Sequence, residues 1–185
     1  PCMLNSIKAE DEIMERGFAV AAECDAPVIA LAMDEDGIPA EPAKRVGICK
    51  RITEAADKRG IPAKHLFFDP LVLPIAADVR QGMVTLQTLQ RIKAELPEAK
   101  TTMGVSNFSH GLKMRAEINR AFLTAALTHG LDSALCDPTR PSIRKGLLLG
   151  QLISGRDRHC RRYGRAVREG LFDPPDAKPK EGQTS

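Results

Sequence analysis

Thr101-Thr-Met-Gly-Val-Ser-Asn-Phe-Ser-His-Gly-Leu-Lys-Met-Arg-Ala-Glu-Ile-Asn-Arg-Ala-Phe-Leu123 holds a strand, a turn and a helix in one run. Thr101–Val105 reads as a short strand ending in small and polar groups, and the second half as an amphipathic helix. The turn between them carries Ser106, Asn107, Ser109 and His110 at a strand's carboxyl end, where parallel α/β folds gather their chemistry. Gly104 lets a ligand come close to the backbone. The plain alternative is a strand-to-helix turn in which Ser or Asn caps the helix. Chemistry is favoured because four other strand ends in the chain are punctuated in the same way.

Working outward, the same alternation repeats. Cys2–Ser6 is a short apolar run ending in a polar pair, followed by a helix over Glu10–Glu23 with Ile13, Met14, Phe18, Ala21 and Ala22 at helical spacing. Val28–Met33 is a near-continuous apolar run, the mark of a strand buried on both faces. Pro42 suits a first helical position, and Val46, Cys49, Ile52 and Ala56 share a face until Gly60. His65–Phe68 is the next strand and ends in Asp69-Pro70. A helix over Met83–Leu96 follows, with Leu86, Leu89, Ile92 and Lys93 in register. After Thr101–Val105 comes a helix burying Ile118, Phe122, Ala125 and Ala126 and closing at Gly130. Ser133–Cys136 is the fifth strand, ending in Asp137-Pro138, and Ile143–Ile153 is the last helix of the series. Strands alternating with helices of this length predict βαβ crossovers and a parallel sheet. Residues 1–155 are thus read as one domain, 156–170 as a basic C-terminal helix, and 171–185 as a disordered Pro- and Lys-rich tail.

With 185 residues, 43% hydrophobic and 28% charged, the chain has ordinary globular composition. A net charge of +3 gives no reason to expect a nucleic-acid partner. Cys2, Cys24, Cys49, Cys136 and Cys160 form no CxxC pair, so neither a structural zinc site nor a disulfide framework is expected. A reducing, cytoplasmic setting fits that usage. No apolar run reaches the roughly 18 residues that span a bilayer. Pro1 reads as an interior point of a longer chain.

The polar strand ends are Asn5 with Ser6, Asp34, Asp69, Ser106 with Asn107, and Asp137. In a parallel barrel such ends meet on one face. Amides and carboxylates without a Lys base or a metal-binding His cluster suit a polar heterocycle with donors and acceptors along one edge. Each has a plainer role: Asp69-Pro and Asp137-Pro start turns, and Asn5-Ser caps helices. His65 at a strand start reads as packing, whereas His110 lies beside the proposed site.

Asn5-Ser6, Asp69-Pro-Leu-Val-Leu-Pro74, Gly104-Val-Ser-Asn107 and Arg115-Ala-Glu-Ile-Asn-Arg-Ala-Phe-Leu123 together resemble the pterin-binding methyltransferases. These are the methyltetrahydrofolate:corrinoid protein methyltransferases and the folate domain of cobalamin-dependent methionine synthase. The resemblance covers roughly Cys2 to Arg168. The Gly155-Arg-Asp-Arg-His-Cys-Arg-Arg-Tyr163 stretch looks like the subgroup serving corrinoid demethylation systems. It implies a TIM (β/α)₈ barrel, of which this chain would supply the C-terminal five βα units, the N-terminal strands and a further pterin-binding Asp lying before Pro1. It also implies transfer of the N5 methyl of methyltetrahydrofolate to or from the cobalt of a corrinoid protein. Asn107 would be the catalytic amide near N5, and Asn5 and Asp69 would bind the pterin. Gly104, Ser106 and His110 would be substrate-binding positions, with His110 where relatives often carry Gln. Cobalamin would come on the partner, so no metal is expected in this chain. The implied partners are a corrinoid protein and a small-molecule folate, with a homodimer left open. Dihydropteroate synthase shares barrel and pocket but carries Ser-Arg-Lys where this chain has Ser106-Asn107-Phe108. A non-catalytic barrel that only binds a pterin or a corrinoid protein is the alternative of a different class.

Overall fold

The computed structural model describes residues 2–173. Its order is β1 (Leu4–Ala9), α1 (Asp11–Glu23), β2 (Val28–Asp34), α2 (Pro42–Asp57), β3 (Leu66–Asp69), α3 (Gln81–Glu95), β4 (Lys100–Thr101), α4 (Arg115–Thr128), α5 (Pro141–Ile153) and α6 (Arg161–Arg168). The four strands form one sheet in sequence order, every neighbouring pair parallel, with a helix in each of the first three crossovers.

Apolar periodicity builds these elements. Met14, Phe18 and Ala21 are the buried face of α1, and Val46, Cys49, Ile52 and Ala56 lie on that of α2. Val28, Ile29, Ala30 and Ala32 are buried in β2, so the strand is covered on both faces, as its unbroken apolar run predicts. Pro42 opens α2, and Gly60 just beyond its end takes φ +71°, a value that glycine adopts without steric cost. Buried residues gather in two clusters, one around β1, β2, α1 and α2, the other around α4 and the adjoining parts of α3 and α5.

Four expectations are corrected. β1 does not end at Asn5-Ser6 but runs to Ala9, with register shifts between Asn5 and Ile7 and between Ile7 and Ala9. Such irregularities re-aim side chains, and Asn5 and Ser6 are both exposed where a regular strand alternates. The strand expected over Thr101–Val105 is reduced to Lys100–Thr101. Pro70 follows β3 without an N–H, so the β3 side of that ladder cannot be extended there. The fifth strand over 133–136 is a single parallel bridge, Gly104 to Leu135, flanked by Ser133 N donating to Thr101 O (3.0 Å) and Leu135 N to Met103 O (2.9 Å). His65 closes a short 3₁₀ turn, Ala63–His65, before β3.

The basic extension is helical over Arg161–Arg168, and buried Asp157 holds its start by accepting from Arg162 N (3.0 Å) and Tyr163 N (2.9 Å). Of the expected disordered tail, residues 171–173 are turn, and Phe172 packs on Tyr163 with ring centroids 5.3 Å apart. Residues 174–185 lie outside the described residues. All five cysteines are free.

Candidate functional site

β3 delivers Asp69 into a loop that doubles back at once. Leu71 takes φ +64°, and its N–H donates to Asp69 Oδ1 at 2.8 Å. Beneath this loop lies Arg45 of α2, with 0% exposure. Its Nε donates to Pro39 O (2.8 Å), and its Nη1 to Pro70 O (2.6 Å) and Leu71 O (2.9 Å). Arg45 thereby ties the loop after β2 to the loop after β3. Enclosure pushes the Asp69 carboxyl up to about 6, against the opposing pull of the Leu71 N–H and the Arg45 charge. Burial in turn pulls the Arg45 guanidinium down, with Asp69 acting against that pull.

The turn after β4 is held from two sides. Phe108 is buried and stacks on Phe122 of α4, centroids 3.7 Å apart and planes within 9°. Arg115, the first residue of α4, reaches back with Nη2 to Ser106 O (2.8 Å) and Oγ (2.9 Å), and with Nε to Ser109 Oγ (3.0 Å). The helix is therefore not capped by Ser or Asn; its cap position is Met114, in the left-handed region. Asn107 Nδ2 donates to Val72 O, and Ile75 N donates to Phe108 O at 3.0 Å. These bonds dock the turn onto the loop carrying Asp69.

Asp69, Gly104, Ser106 and Asn107 thus come together on adjoining loops. A Cβ built on Gly104 would meet no atom within 4 Å, so open space lies there. His110 is exposed, and its N–H donates to Asn107 O at 3.1 Å. Asn5 pairs with Ile29, which pairs with Phe67, so Asn5 stands two strands from Asp69 and two residues lower. The expected convergence of carboxylates is narrower than the sequence suggests. Asp137 serves its own turn, accepting from Thr139 N, Thr139 Oγ1 and Arg140 Nε. Asp34 makes the same turn bond as Asp69, from Asp36 N, but on a loop other than the one the Asn107 turn docks on. Arg45 and Arg115 were given no role by the motif reading. A signal existed for Arg45: it shares the apolar spacing of Cys49, Ile52 and Ala56, and a cation on a buried face needs partners.

The chemistry follows from this set. Asp69 has one protein N–H on Oδ1, so its second oxygen and remaining lone pairs can receive paired N–H donors. The Asn107 amide keeps one N–H and its carbonyl oxygen for a ligand. Among the described residues no group of three or more His, Cys, Asp or Glu could hold a metal ion.

The family described as pterin binding enzyme matches residues 1–136. Methylcorrinoid:tetrahydrofolate methyltransferase of Eubacterium limosum is 29% identical over 180 residues, which is 96% of this chain and 66% of the relative. Methionine synthase of Mycobacterium tuberculosis is 32% identical over 146 residues, 72% of this chain and 12% of the relative. That of Mycobacterium leprae is 30% identical over the same length. The chain therefore spans just under two thirds of the first relative and a small part of the other two.

Proposed function

The chain belongs to the pterin binding enzyme family, and we propose that it is a methyltransferase moving the N5 methyl group between tetrahydrofolate and the cobalt of a separate corrinoid protein. The observation that carries the proposal is Asp69: an enclosed carboxyl pushed up to about 6, bonded on one oxygen, at the start of the loop on which the Asn107 turn is docked. A ligand edge with adjacent N–H donors, such as that of a pterin, supplies what this carboxylate lacks. The family fold is of the TIM-barrel type, and residues 1–155 are read as the C-terminal part of such a barrel, with four paired strands and the fifth position reduced to the Gly104–Leu135 bridge.

In this reading Asp69 binds the pterin edge, with Asn5 on the same sheet. Gly104 leaves room for the ring, and Ser106 and His110 border it. Asn107 approaches N5. A tertiary amine leaves poorly unless its nitrogen is hydrogen-bonded as the carbon–nitrogen bond breaks. Asn107 has no useful pKa, so it contributes a fixed hydrogen bond, and the proton that N5 takes up as the methyl leaves comes from solvent. Val72 O holds the amide in place while the second N–H stays free. Cobalt arrives on the partner, so cobalamin is not bound by this chain. No described helix is long and apolar enough to cross a membrane. The reading puts the enzyme in the cytoplasm, as its unpaired cysteines suggest, acting on a folate and a corrinoid protein.

The test is single-turnover methyl transfer between methyltetrahydrofolate and Co(I) corrinoid, followed by the corrinoid spectrum, beside equilibrium folate binding. Asn107→Ala is expected to slow transfer about a hundred- to thousandfold, the usual effect of removing one preorganised donor, with binding little changed. Loss of affinity at an unchanged rate would reduce Asn107 to a positioning residue. Folate binding without transfer by the wild type would favour a non-catalytic binder, and dihydropteroate formation would favour the synthase.

A further inference from the structure

Ser106, the residue before Asn107, also lines a separate cavity of about 270 Å³ between the β4 end and the starts of α4 and α5. Its other polar lining is Arg115, Asn119, Asp137, Arg140 and Ser142. Two guanidiniums therefore face one carboxylate, and much of their donor capacity is unspent. Arg140 uses Nε on Asp137 (3.2 Å), and Arg115 uses Nε and Nη2 on Ser106 and Ser109. Arg115 Nη1 and both Nη atoms of Arg140 make no hydrogen bond among the described residues. Asn119 is unpartnered too: its Oδ1 is buried with no donor. A buried amide oxygen left without a donor in a folded chain calls for one from elsewhere. Its terminal torsion is soft, so either end can turn to a ligand.

We propose that this cavity receives the glutamate carboxylates of the folate whose pterin sits at Asp69, an inference that rests on the function proposed above. Carboxylates match the fork geometry of guanidinium and use the unspent donors of Arg115 and Arg140. Asn119 Oδ1 can accept from the N–H of the amide that joins glutamate to the aminobenzoyl ring, and the Ser142 hydroxyl can donate to a carboxylate. Ser106 lines the cavity and is followed by Asn107, whose amide docks on the loop carrying Asp69, so the cavity adjoins the proposed pterin site and the arm of one folate can run between them. Asp137 keeps the net charge of the wall at one positive, which favours a small organic anion over a densely charged phosphate chain.

The experiment compares two ligands on purified protein: methyltetrahydrofolate, and a methylated tetrahydropterin lacking the aminobenzoylglutamate arm. Arg140 is 69% exposed, so its replacement leaves the core intact. Arg140→Ala is expected to weaken folate about fivefold, the upper range for an exposed charge pair, and to leave the armless pterin unchanged. Arg140→Glu is expected to weaken folate further, and added salt to weaken folate alone in the wild type. Equal weakening of both ligands, or of neither, would overturn the tail site while leaving the pterin site standing. So would a wild type that binds folate no more tightly than the armless pterin. A wild type that binds neither ligand would instead overturn the proposed function, and this inference with it.

Discussion

Asp69 carries an electrostatic cost that its pH dependence should expose. An ordinary Asp titrates at 3.8, whereas enclosure raises this one to about 6. Between those values the folded chain holds a proton that the unfolded chain has released. The Asp69 contribution to stability therefore falls as pH rises from about 4 to about 6 and stays low above. Asp69→Asn is expected to stabilise the free protein at pH 7 by up to about 3 kcal/mol and to change nothing near pH 3. Urea unfolding of both proteins at the two pH values checks this, and equal differences at both would mean that Asp69 is not enclosed as seen. The opposite sign is expected for ligand: with Asp69 binding the pterin edge as proposed, wild-type folate affinity should fall as pH drops through about 6. Asp69 was legible in the sequence because a strand end followed by Pro marks it. What makes it unusual was not, because Arg45 lies 24 positions earlier and meets its loop only through the fold. Asp34 and Asp137 looked equivalent to it: Asp137 is taken up by Thr139 and Arg140, and Asp34 makes the same turn bond as Asp69 but lies on a different loop from the one the Asn107 turn docks on.

Helices α4 and α5 pack closely because α5 presents Gly146 and Gly150 to α4. A Cβ at Gly146 would lie 2.9 Å from Arg120 O, and one at Gly150 would lie 2.4 Å from Leu127 Cδ1. Helix propensity alone makes Gly→Ala favourable by up to about 1 kcal/mol. Contact with a backbone carbonyl, which cannot rotate aside, reverses that sign. Gly146→Ala is expected to destabilise by about 1–3 kcal/mol, as overpacking does. A rise in thermal midpoint for this variant would show that the helices sit farther apart. Long periodic helices such as α2, α4 and α5 were readable because their apolar spacing sets the buried face. The two strands beyond β3 were not readable in the same way. Thr101, Thr102, Met103 and Val105 are buried like strand residues, yet pairing stops after Thr101. Burial shows in composition, whereas the ladder depends on the neighbouring chain, where Pro70 offers no N–H.

The two apolar clusters raise the question of whether the chain unfolds as one body. α3 belongs to both: Leu86 and Leu89 pack in the second cluster and Ile92 in the first. Polar ties cross at the same place, since Arg45 on α2 bonds Pro70 O and Leu71 O, and Thr102 N bonds Phe68 O at 2.9 Å. Opening one cluster would strip Arg45 of its acceptors and leave a buried charge unpaired, which costs several kcal/mol. Coupling of that size makes independent opening unfavourable beside a total stability of about 5–15 kcal/mol. Ile52→Ala in the first cluster and Leu123→Ala in the second each empty a fully buried position and should each cost about 2–5 kcal/mol. Both are expected to move the midpoint of one and the same denaturant transition, with its slope unchanged and backbone circular dichroism superimposing on near-ultraviolet absorbance. A curve that splits in either variant, with one phase left at the wild-type midpoint, would show that α3 and Arg45 do not join the two clusters.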